Sequence, residues 1–356
     1  MVSIHDAVAL EQLRGRCRVE PNHLREVRNA FYKKKRSAEE ALQQIPEAQR
    51  AGLGCEVAFH ALELHSRRDS QRDGATKLVF RTAGGRLIET VILRAASGRT
   101  SLCVSSQVGC AARCAFCATG RMGVAVNLTR DEILDQVVQA NRLLLPEGRS
   151  IRNVVFMGMG EPFHNEVEVY SALDVLLSPQ CCNLSPAHVL VSTVGIPDAM
   201  VRFAKRFPSV GLALSLHSAR QEQRERIIPL ARRYSLESLR IAMAQATALQ
   251  RRPVMVEYLL LEGWNDADQD LRELSNYLRG LPVHINLIPY NAIDEAPGLR
   301  GTAEPRRRAF AAGLTAAGFV VTVRYSLGAD VAAACGQLVQ QEQATAQGLL
   351  QGIGVP

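Results

Sequence analysis

Residues 103–120 read CVSSQVGCAARCAFCATG, and this stretch decides how the rest of the chain is interpreted. Cys110, Cys114 and Cys117 follow the spacing C-x3-C-x2-C, with Phe116 just before the last cysteine. Three thiolates this close together on one loop can bind three irons of a 4Fe-4S cluster and leave the fourth iron without a protein ligand. The amino and carboxylate groups of S-adenosyl-L-methionine (SAM) can chelate that open iron. The spacing therefore predicts one 4Fe-4S cluster and SAM as cofactors.

A structural zinc site with Cys103 as its fourth ligand is the alternative. Structural zinc sites usually combine two ligand pairs from separated segments. Here Cys110, Cys114 and Cys117 form a single run, and Cys103 stands apart on a predicted strand. The order of the cysteines, with an aromatic residue before the last, is similar to the signature of the radical SAM superfamily. We therefore favour a cluster held by these three cysteines over zinc.

The composition indicates a globular protein with a sizeable core. The chain has 356 residues, of which 47% are hydrophobic and 22% charged, which suits one large domain with an appendage or two domains. No apolar run is long enough to span a bilayer, and the N-terminus lacks the features of a signal peptide. We expect a cytoplasmic protein, in which nine cysteines indicate metal binding or catalysis rather than a disulfide framework. The net charge of +7 favours a polyanionic partner.

The first 75 residues are predicted to form a small helical accessory domain. Leu24, Val27, Ala30 and Phe31 recur at helical spacing and are expected to be buried. The basic run 33–36 (KKKR) ends this helix and is either a solvated helix end or a contact for RNA phosphates. Residues 76–98 are predicted to be a connector that contains a β-hairpin, because two β-rich runs flank Ala-Gly-Gly.

From residue 99 to 340, short β-rich runs alternate with amphipathic helical stretches. The predicted strands are 102–106, 153–160, 189–195, 212–217, 254–261, 285–290 and 320–326. This alternation is typical of parallel strands joined by crossover helices. Because polar residues and glycines gather at the C-terminal ends of the strands, we predict an α/β fold with a partial (β/α)6-type barrel whose mouth is the active site. Residues 341–356 are predicted to be a C-terminal tail.

The strand ends carry the residues expected to bind SAM. Gly160 and Glu161 belong to a Gly-Met-Gly-Glu-Pro turn that follows a strand directly. Taken alone this is an ordinary strand-to-helix turn, but it could also present backbone groups to an amino acid moiety. The other candidates at successive strand ends are Ser192, Ser215, Leu216, His217 and Asn291. Polar groups at four successive strand ends predict a shared SAM pocket.

A second pair of cysteines is predicted near the barrel mouth. Cys335 follows the last predicted strand in the motif ACGQL, and Cys103 ends the first. An isolated cysteine beside alanines is usually a small buried residue. The first and last strands of an open barrel can converge, however, which would bring both thiols close to the cluster.

CVSSQVGCAARCAFCATG, FMGMGEP, STVGI, LSLHS, INLIPYN and ACGQL, in this order, resemble the RlmN/Cfr family of radical SAM RNA methyltransferases. The resemblance runs from the N-terminal helices to about Leu338. It implies methylation of an adenine ring carbon, carbon 2 or carbon 8, in structured RNA, with 23S ribosomal RNA favoured and transfer RNA as the alternative. It also implies a monomer without a membrane partner, reduced by an electron donor such as flavodoxin or ferredoxin.

The resemblance also assigns roles to three residues. One SAM methylates Cys335, and a second SAM yields a radical that removes hydrogen from the new methyl group. The resulting carbon radical adds to adenine. Glu89 then removes the ring proton, and Cys103 attacks Cys335 and releases the product with a disulfide. From the residues alone, Glu89 is a strand glutamate with no sign of catalysis.

Two other functions are compatible with parts of this pattern. A radical SAM enzyme with a different substrate would cleave SAM but carry no methyl group on Cys335. An RNA-binding protein with structural zinc would be colourless and catalytically inactive, whereas a cluster would colour the protein brown.

Overall fold

The computed structural model describes residues 1–123 and 125–338. The predicted tail at 341–356 lies outside the described residues. The α/β alternation between residues 99 and 338 is as predicted, since each of the seven expected strands overlaps an observed one.

Most strands are short and belong to one large sheet. In chain order the strands are β1 (Val2–Ser3), β2 (Val57–Ala58), β3 (Leu62–Asp69), β4 (Ala75–Thr82), β5 (Leu87–Arg94), β6 (Thr100–Cys103), β7 (Gln107–Gly109), β8 (Ala125–Asn127), β9 (Asn153–Phe156), β10 (Val189–Thr193), β11 (Gly211–Ser215), β12 (Val254–Leu260), β13 (Val283–Pro289) and β14 (Val320–Val323).

The helices lie at the N-terminus and between the later strands. They are α1 (Ala7–Arg16), α2 (Pro21–Tyr32), α3 (Ala38–Leu42), α4 (Glu47–Glu56), α5 (Ala118–Arg121), α6 (Arg130–Leu143), α7 (Glu166–Leu177), α8 (Pro197–Arg206), α9 (Gln221–Ile227), α10 (Leu236–Leu249), α11 (Asp268–Leu278) and α12 (Glu304–Ala316). None of the helices in the described ranges is long and apolar enough to cross a membrane.

The N-terminal helices pack around an apolar cluster of their own. Leu24, Val27, Ala30 and Phe31 are buried there, as their spacing predicts. Local signals in the sequence begin these helices: Asp6 caps α1 through its carboxylate, and Pro21 occupies the first turn of α2. These four residues of helix α2 therefore belong to a structural core, which also includes Val138 of helix α6.

The large sheet contains ten strands in the order β14-β13-β12-β11-β10-β9-β6-β5-β4-β3. Strand β6 and strands β9 to β14 are parallel, and β3, β4 and β5 pair antiparallel beside β6. Within the described residues, the edge strands β3 and β14 do not pair with each other, so the sheet is an open, partial barrel.

Two details differ from the prediction. The first 75 residues are not all helical, because β3 occupies Leu62–Asp69. The sequence of this strand, LELHSRRD, does not predict it, because the strand is mostly exposed and lacks the apolar alternation that marks a strand. The hairpin formed by β4 and β5 is not a separate connector, because β5 pairs with β6 and so extends the barrel sheet. This pairing places Val91 directly opposite Cys103.

The two faces of the sheet have different chemistry. One face, formed by residues such as Leu102, Val154 and Val191, packs in the main core with residues of the crossover helices. The alternate residues form the other face, which we call the inner face. The strand register across the sheet places several polar residues on the inner face, including Lys77, Glu89, Cys103, Ser192, Ser215, Glu257 and Asn286. Arg324, just after β14, also reaches Glu257. A barrel with a polar interior is suited to hold a polar ligand rather than only a packed core.

Candidate active site at the barrel mouth

The three cysteines of the predicted cluster motif line one cavity at the barrel mouth. Residues 110–117 form the loop, here named the cluster loop, that joins β7 to helix α5. Cys114 is buried, whereas Cys110 and Cys117 are partly accessible. The loop is anchored to the barrel by the amide of Ala115, which donates to the carbonyl of Ile227 at 2.8 Å.

Burial keeps the three thiols of the cluster loop protonated. It raises the pKa of Cys110 to about 12 and the pKa of Cys114 well above its usual value, and the neighbouring thiols add to the shift. The pKa of Cys117 is also raised by burial. In the described part of the chain, no three His, Cys, Asp or Glu side chains are already grouped to hold a metal ion. Metal binding would therefore involve loss of the thiol protons.

Gly160 and Glu161 lie in the same cavity, at the end of β9. Gly160 has φ +102, and a Cβ there would lie 2.6 Å from Cβ of Gln107. The Glu161 carboxylate accepts hydrogen bonds from the amides of Phe163 at 3.0 Å and Val194 at 2.8 Å. Burial nevertheless raises the pKa of Glu161 to about 7. The turn is thus both a tightly packed strand end and part of the cavity wall.

A hydrogen-bond network around Glu257 connects the ends of three neighbouring strands. Ser192 Oγ donates to Glu257 Oε2 at 3.1 Å, and Ser215 Oγ lies 3.4 Å from the same oxygen. Burial raises the pKa of Glu257, and Arg324, with its Nη1 3.8 Å from Glu257 Oε1, opposes that shift. The predicted serines therefore lie side by side in the cavity, and their hydroxyls are oriented by a carboxylate.

His217 supports the cluster loop. Its ring packs edge-on against Phe116, with ring centroids 4.8 Å apart. Nδ1 accepts a hydrogen bond from the amide of Leu259 at 3.0 Å, and burial lowers the pKa of His217 to about 3, so the ring is neutral. Leu216, by contrast, is fully buried in the main core and does not line the cavity. Its carbonyl accepts from Arg224 Nε at 3.1 Å.

The C-terminal loop, residues 328–338, carries Cys335 into the cavity. The loop is tied down on both sides of the thiol. Before Cys335, the amide of Gly328 donates to Asp73 Oδ2 at 2.8 Å. After it, the carbonyl of Gly336 accepts from the amide of Ala118 at 2.8 Å. Asn291 does not line the cavity, but its Nδ2 donates to the carbonyl of Cys335 at 3.2 Å. Cys335 is an exposed residue and lines the same cavity as the three cysteines of the cluster loop.

Cys103 and Glu89 lie deeper, on the inner face of the sheet. Burial raises the pKa of Cys103 far above its usual value; the nearby Cys335 adds to this shift and Arg324 opposes it. Glu89 lies on the adjacent strand, where its Oε1 is 3.1 Å from Nζ of Lys77. All nine cysteines of the chain fall within the described residues, and all are free thiols. Cys103 and Cys335 are therefore both free thiols, and they lie close enough for Cys335 to raise the pKa of Cys103.

Some residues of the site were not found from the sequence. Glu257, Arg324 and Arg224 are charged side chains in or near buried strand ends. The signal that could have identified Glu257 is a lone charge in the apolar run VMVEYLLL, because charged side chains in buried strands are rare unless they are paired.

Comparison with known proteins agrees with this geometry. Residues 104–275 match the radical SAM superfamily. A solved radical SAM methyltransferase from Sphaerobacter thermophilus superposes with a TM-score of 0.90 at 36% identity, covering 95% of this chain and 99% of that one. The dual-specificity RNA methyltransferase RlmN of Anaeromyxobacter dehalogenans is 43% identical over 85% of this chain and 82% of its own length. The chain belongs to the RlmN/Cfr family of radical SAM RNA methyltransferases.

A second relative extends the match over nearly the whole chain. A probable RNA methyltransferase of Rhodopirellula baltica is 52% identical over 94% of this chain and 86% of that protein. The resemblance inferred from the motifs is thus confirmed, and the RlmN/Cfr protein described here is a SAM-dependent enzyme. The chemistry of its cavity fits the cofactors of a radical SAM enzyme, since three thiols on one loop face the hydroxyls and carboxylates of the strand ends across one cavity.

Proposed function

We propose that the protein methylates an adenine ring carbon, carbon 2 or carbon 8, in structured RNA, through a methylated Cys335. One observation carries this proposal: Cys335, a thiol outside the cluster motif, lines the cavity of the cluster loop and lies close enough to Cys103 on the inner face to raise the pKa of that second thiol. A radical SAM enzyme that only cleaves SAM has no use for this second pair.

Cys110, Cys114 and Cys117 would hold a 4Fe-4S cluster, and Gly160, Glu161, Ser192 and Ser215 would line the SAM site. When bound, the cluster would supply the electron that cleaves SAM to a 5′-deoxyadenosyl radical. The hydroxyls of Ser192 and Ser215 are already aligned by Glu257, so they are suited to bind a polar group of the cofactor without further ordering. His217 would act indirectly, by supporting Phe116 of the cluster loop.

Cys335 would first accept a methyl group from SAM through its sulfur, losing its proton. Its accessible side chain and the tethers on either side of it suit this role. After hydrogen abstraction, the S-methylene carbon would bond to the adenine ring and leave the unpaired electron on the ring. That electron would pass to a one-electron acceptor, a role that the cluster held by Cys110, Cys114 and Cys117 could supply. Ring carbons 2 and 8 have no lone pair with which to attack a sulfonium methyl group, which is why a carbon radical is needed.

Glu89 would then take the proton from the modified ring carbon, and the C–H electron pair would restore the aromatic ring. Cys103, as a thiolate, would attack the sulfur of Cys335. The S–C bond breaks, its electron pair stays on the methylene carbon, and a proton completes the methyl group. The transient Cys103–Cys335 disulfide must then be reduced by two electrons from a donor such as flavodoxin or ferredoxin before the next turnover.

The RNA substrate is supported by the relatives, two of which carry the words RNA methyltransferase in their names. The relative from Anaeromyxobacter dehalogenans is named a dual-specificity enzyme, which favours more than one RNA, so both 23S ribosomal RNA and transfer RNA are proposed substrates. Lys33 and Lys34 are exposed directly after helix α2 and are proposed to contact RNA phosphates. The target adenine would have to leave its stack to reach Cys335.

The test uses full-length protein with its cluster reconstituted, SAM, a reductant, and transcripts of a 23S fragment or a transfer RNA. Nucleoside mass spectrometry should detect a methyladenosine and distinguish carbon 2 from carbon 8. Cys103→Ala should form a covalent enzyme–RNA adduct that persists on a denaturing gel, while Cys55→Ala, which alters an exposed thiol outside the cavity, should turn over normally. Clean turnover by Cys103→Ala would remove Cys103 from the mechanism.

A further inference from the structure

A buried lysine lies beside the proposed base. The register of β4, β5 and β6 places Lys77 and Glu89 on the inner face with Cys103, because Lys77 is paired with Val91, and Val91 with Cys103. Lys77 is only 2% exposed, and its Nζ lies 3.1 Å from Glu89 Oε1. A buried ammonium group is costly unless it is paired, so its presence here calls for an explanation.

The same ammonium group also contacts the C-terminal loop. Nζ of Lys77 donates to the carbonyl of Ala332 at 3.3 Å, three residues before Cys335. Ala332 is in the left-handed backbone region, with φ 50 and ψ 43, which few residues other than glycine adopt. One side chain therefore joins the carboxylate of the proposed base to a strained turn of the loop that carries the methylated thiol.

We propose that Lys77 is a positioning residue for the RNA methylation reaction: it keeps the Glu89 carboxylate ionised and aimed, so that Glu89 can take the ring proton from the enzyme–RNA adduct. The inference rests on the proposed function, because it assigns Glu89 the role of base. In this step the ring C–H bond breaks, the proton passes to a carboxylate oxygen of Glu89, and the electron pair remains in the ring.

Removal of the lysine charge should affect this step and leave the earlier steps intact. Loss of the ammonium group 3.1 Å from Glu89 Oε1 removes a charge that favours the ionised carboxylate, so the buried carboxyl group should take up a proton more readily, and a protonated Glu89 cannot accept another. The C-terminal loop has further tethers at Asp73, Asn291 and Thr119, so it should keep Cys335 in place. Methylation of Cys335 and formation of the RNA adduct should therefore continue, and decay of the adduct should become slow.

The experiment compares wild type with Lys77→Met, Lys77→Gln, Lys77→Arg and the control Lys205→Met, which alters an exposed lysine of helix α8. Three quantities are measured on protein with its cluster reconstituted: the methyl group on Cys335 by peptide mass, the adduct on a denaturing gel with labelled RNA, and methyladenosine by mass spectrometry. Lys77→Gln serves as a second variant because its amide can still hydrogen-bond both Glu89 and Ala332, so it should fold even if Lys77→Met does not.

We expect the neutral variants to retain methylated Cys335, to accumulate adduct, and to release methylated RNA about 100-fold more slowly, the scale of a lost general base. Lys77→Arg should recover part of that loss, and Lys205→Met should match wild type. Native adduct decay in Lys77→Gln, or equal defects in Lys77→Gln and Lys77→Arg, would overturn the proposal. Loss of the cluster and of Cys335 methylation in Lys77→Gln would also overturn it, because the role would then be structural.

Failure of the proposed function itself would look different. In that case wild-type protein would carry no methyl group on Cys335, and Glu89→Gln would form no adduct. If Glu89→Gln turned over at the wild-type rate and still carried a methyl group on Cys335, Glu89 would not be the base, and the two-thiol mechanism would stand.

Discussion

Gly158, which follows β9 and packs against the backbone that follows β6, offers a direct test of the packing at the barrel mouth. A Cβ added to Gly158 would lie 2.7 Å from the carbonyl carbon and oxygen of Val104 and 2.8 Å from the amide nitrogen of Ser105. These neighbours are backbone atoms, which cannot rotate away. Gly158 has no positive φ, so alanine fits its backbone conformation and the collision is the main effect of Gly158→Ala.

The expected cost follows from these distances. To reach ordinary contact at 3.4 Å, the two chain segments must separate by roughly 0.7 Å. Overpacking of this kind costs about 1–3 kcal/mol. The hydrogen bond from the amide of Gly158 to the carbonyl of Val104, now 3.0 Å, would also be stretched, at a cost of about 1 kcal/mol. Alanine also restricts the conformations of the unfolded chain, which offsets about 0.4–1 kcal/mol of this loss in the free energy of unfolding. The net loss in the free energy of unfolding should be about 1–4 kcal/mol.

Urea unfolding followed by circular dichroism measures this loss. The matched control is Gly52→Ala in helix α4, where an added Cβ meets nothing within 4 Å; it should stabilise the protein by about 0.5–1 kcal/mol. Because Gly158 also lines the cavity, its variant should bind SAM more weakly, whereas the control should not. Equal stability of Gly158→Ala and wild type would refute the close approach of β9 to β6.

Two further predictions concern other buried groups. Arg224→Met should lower the free energy of unfolding by about 3 kcal/mol or more, because the guanidinium donates to the carbonyls of Val194, Ser215 and Leu216 and each lost bond costs about 1 kcal/mol. The control Arg226→Met replaces an exposed arginine and should change the free energy of unfolding by less than about 0.5 kcal/mol. Equal urea midpoints for the two variants would contradict the stabilising role of the Arg224 hydrogen bonds. Burial lowers the pKa of His5 to about 4, so the folded state binds fewer protons than the unfolded state between pH 6.5 and 4. Stability should fall as the pH drops through this window, by about 2 kcal/mol between pH 7.5 and 5 for this group; urea titrations should show a smaller fall for His5→Phe, and an identical fall would contradict the prediction.

Much of the fold follows from local patterns. Six of the seven parallel strands, β6 and β9 to β13, are short and mostly buried runs between amphipathic stretches, and such runs are recognisable from their apolar content. The edge strand β14 is mostly exposed and is recognisable from its valines and threonine instead. Strand β3 was missed for the opposite reason: it lies at an edge, is mostly exposed, and depends on its partner β4 rather than on its own sequence.

The site residues that belong to a local sequence motif could be predicted. Those brought together only by the pairing of distant strands could not. The cluster cysteines and Cys335 belong to motifs and do line one cavity. Leu216 was grouped with its polar neighbours, but the alternation of the strand turns its side chain into the core. The Lys77–Glu89 pair depends on the register of two strands, which the sequence of the hairpin does not specify.

The measurement that tests the central claim most directly is peptide mass mapping of the protein expressed with its cluster. We expect a single added methyl group on Cys335, with Cys103 unmodified. An unmodified Cys335 in protein that carries a full cluster and has been supplied with SAM would contradict the two-thiol mechanism.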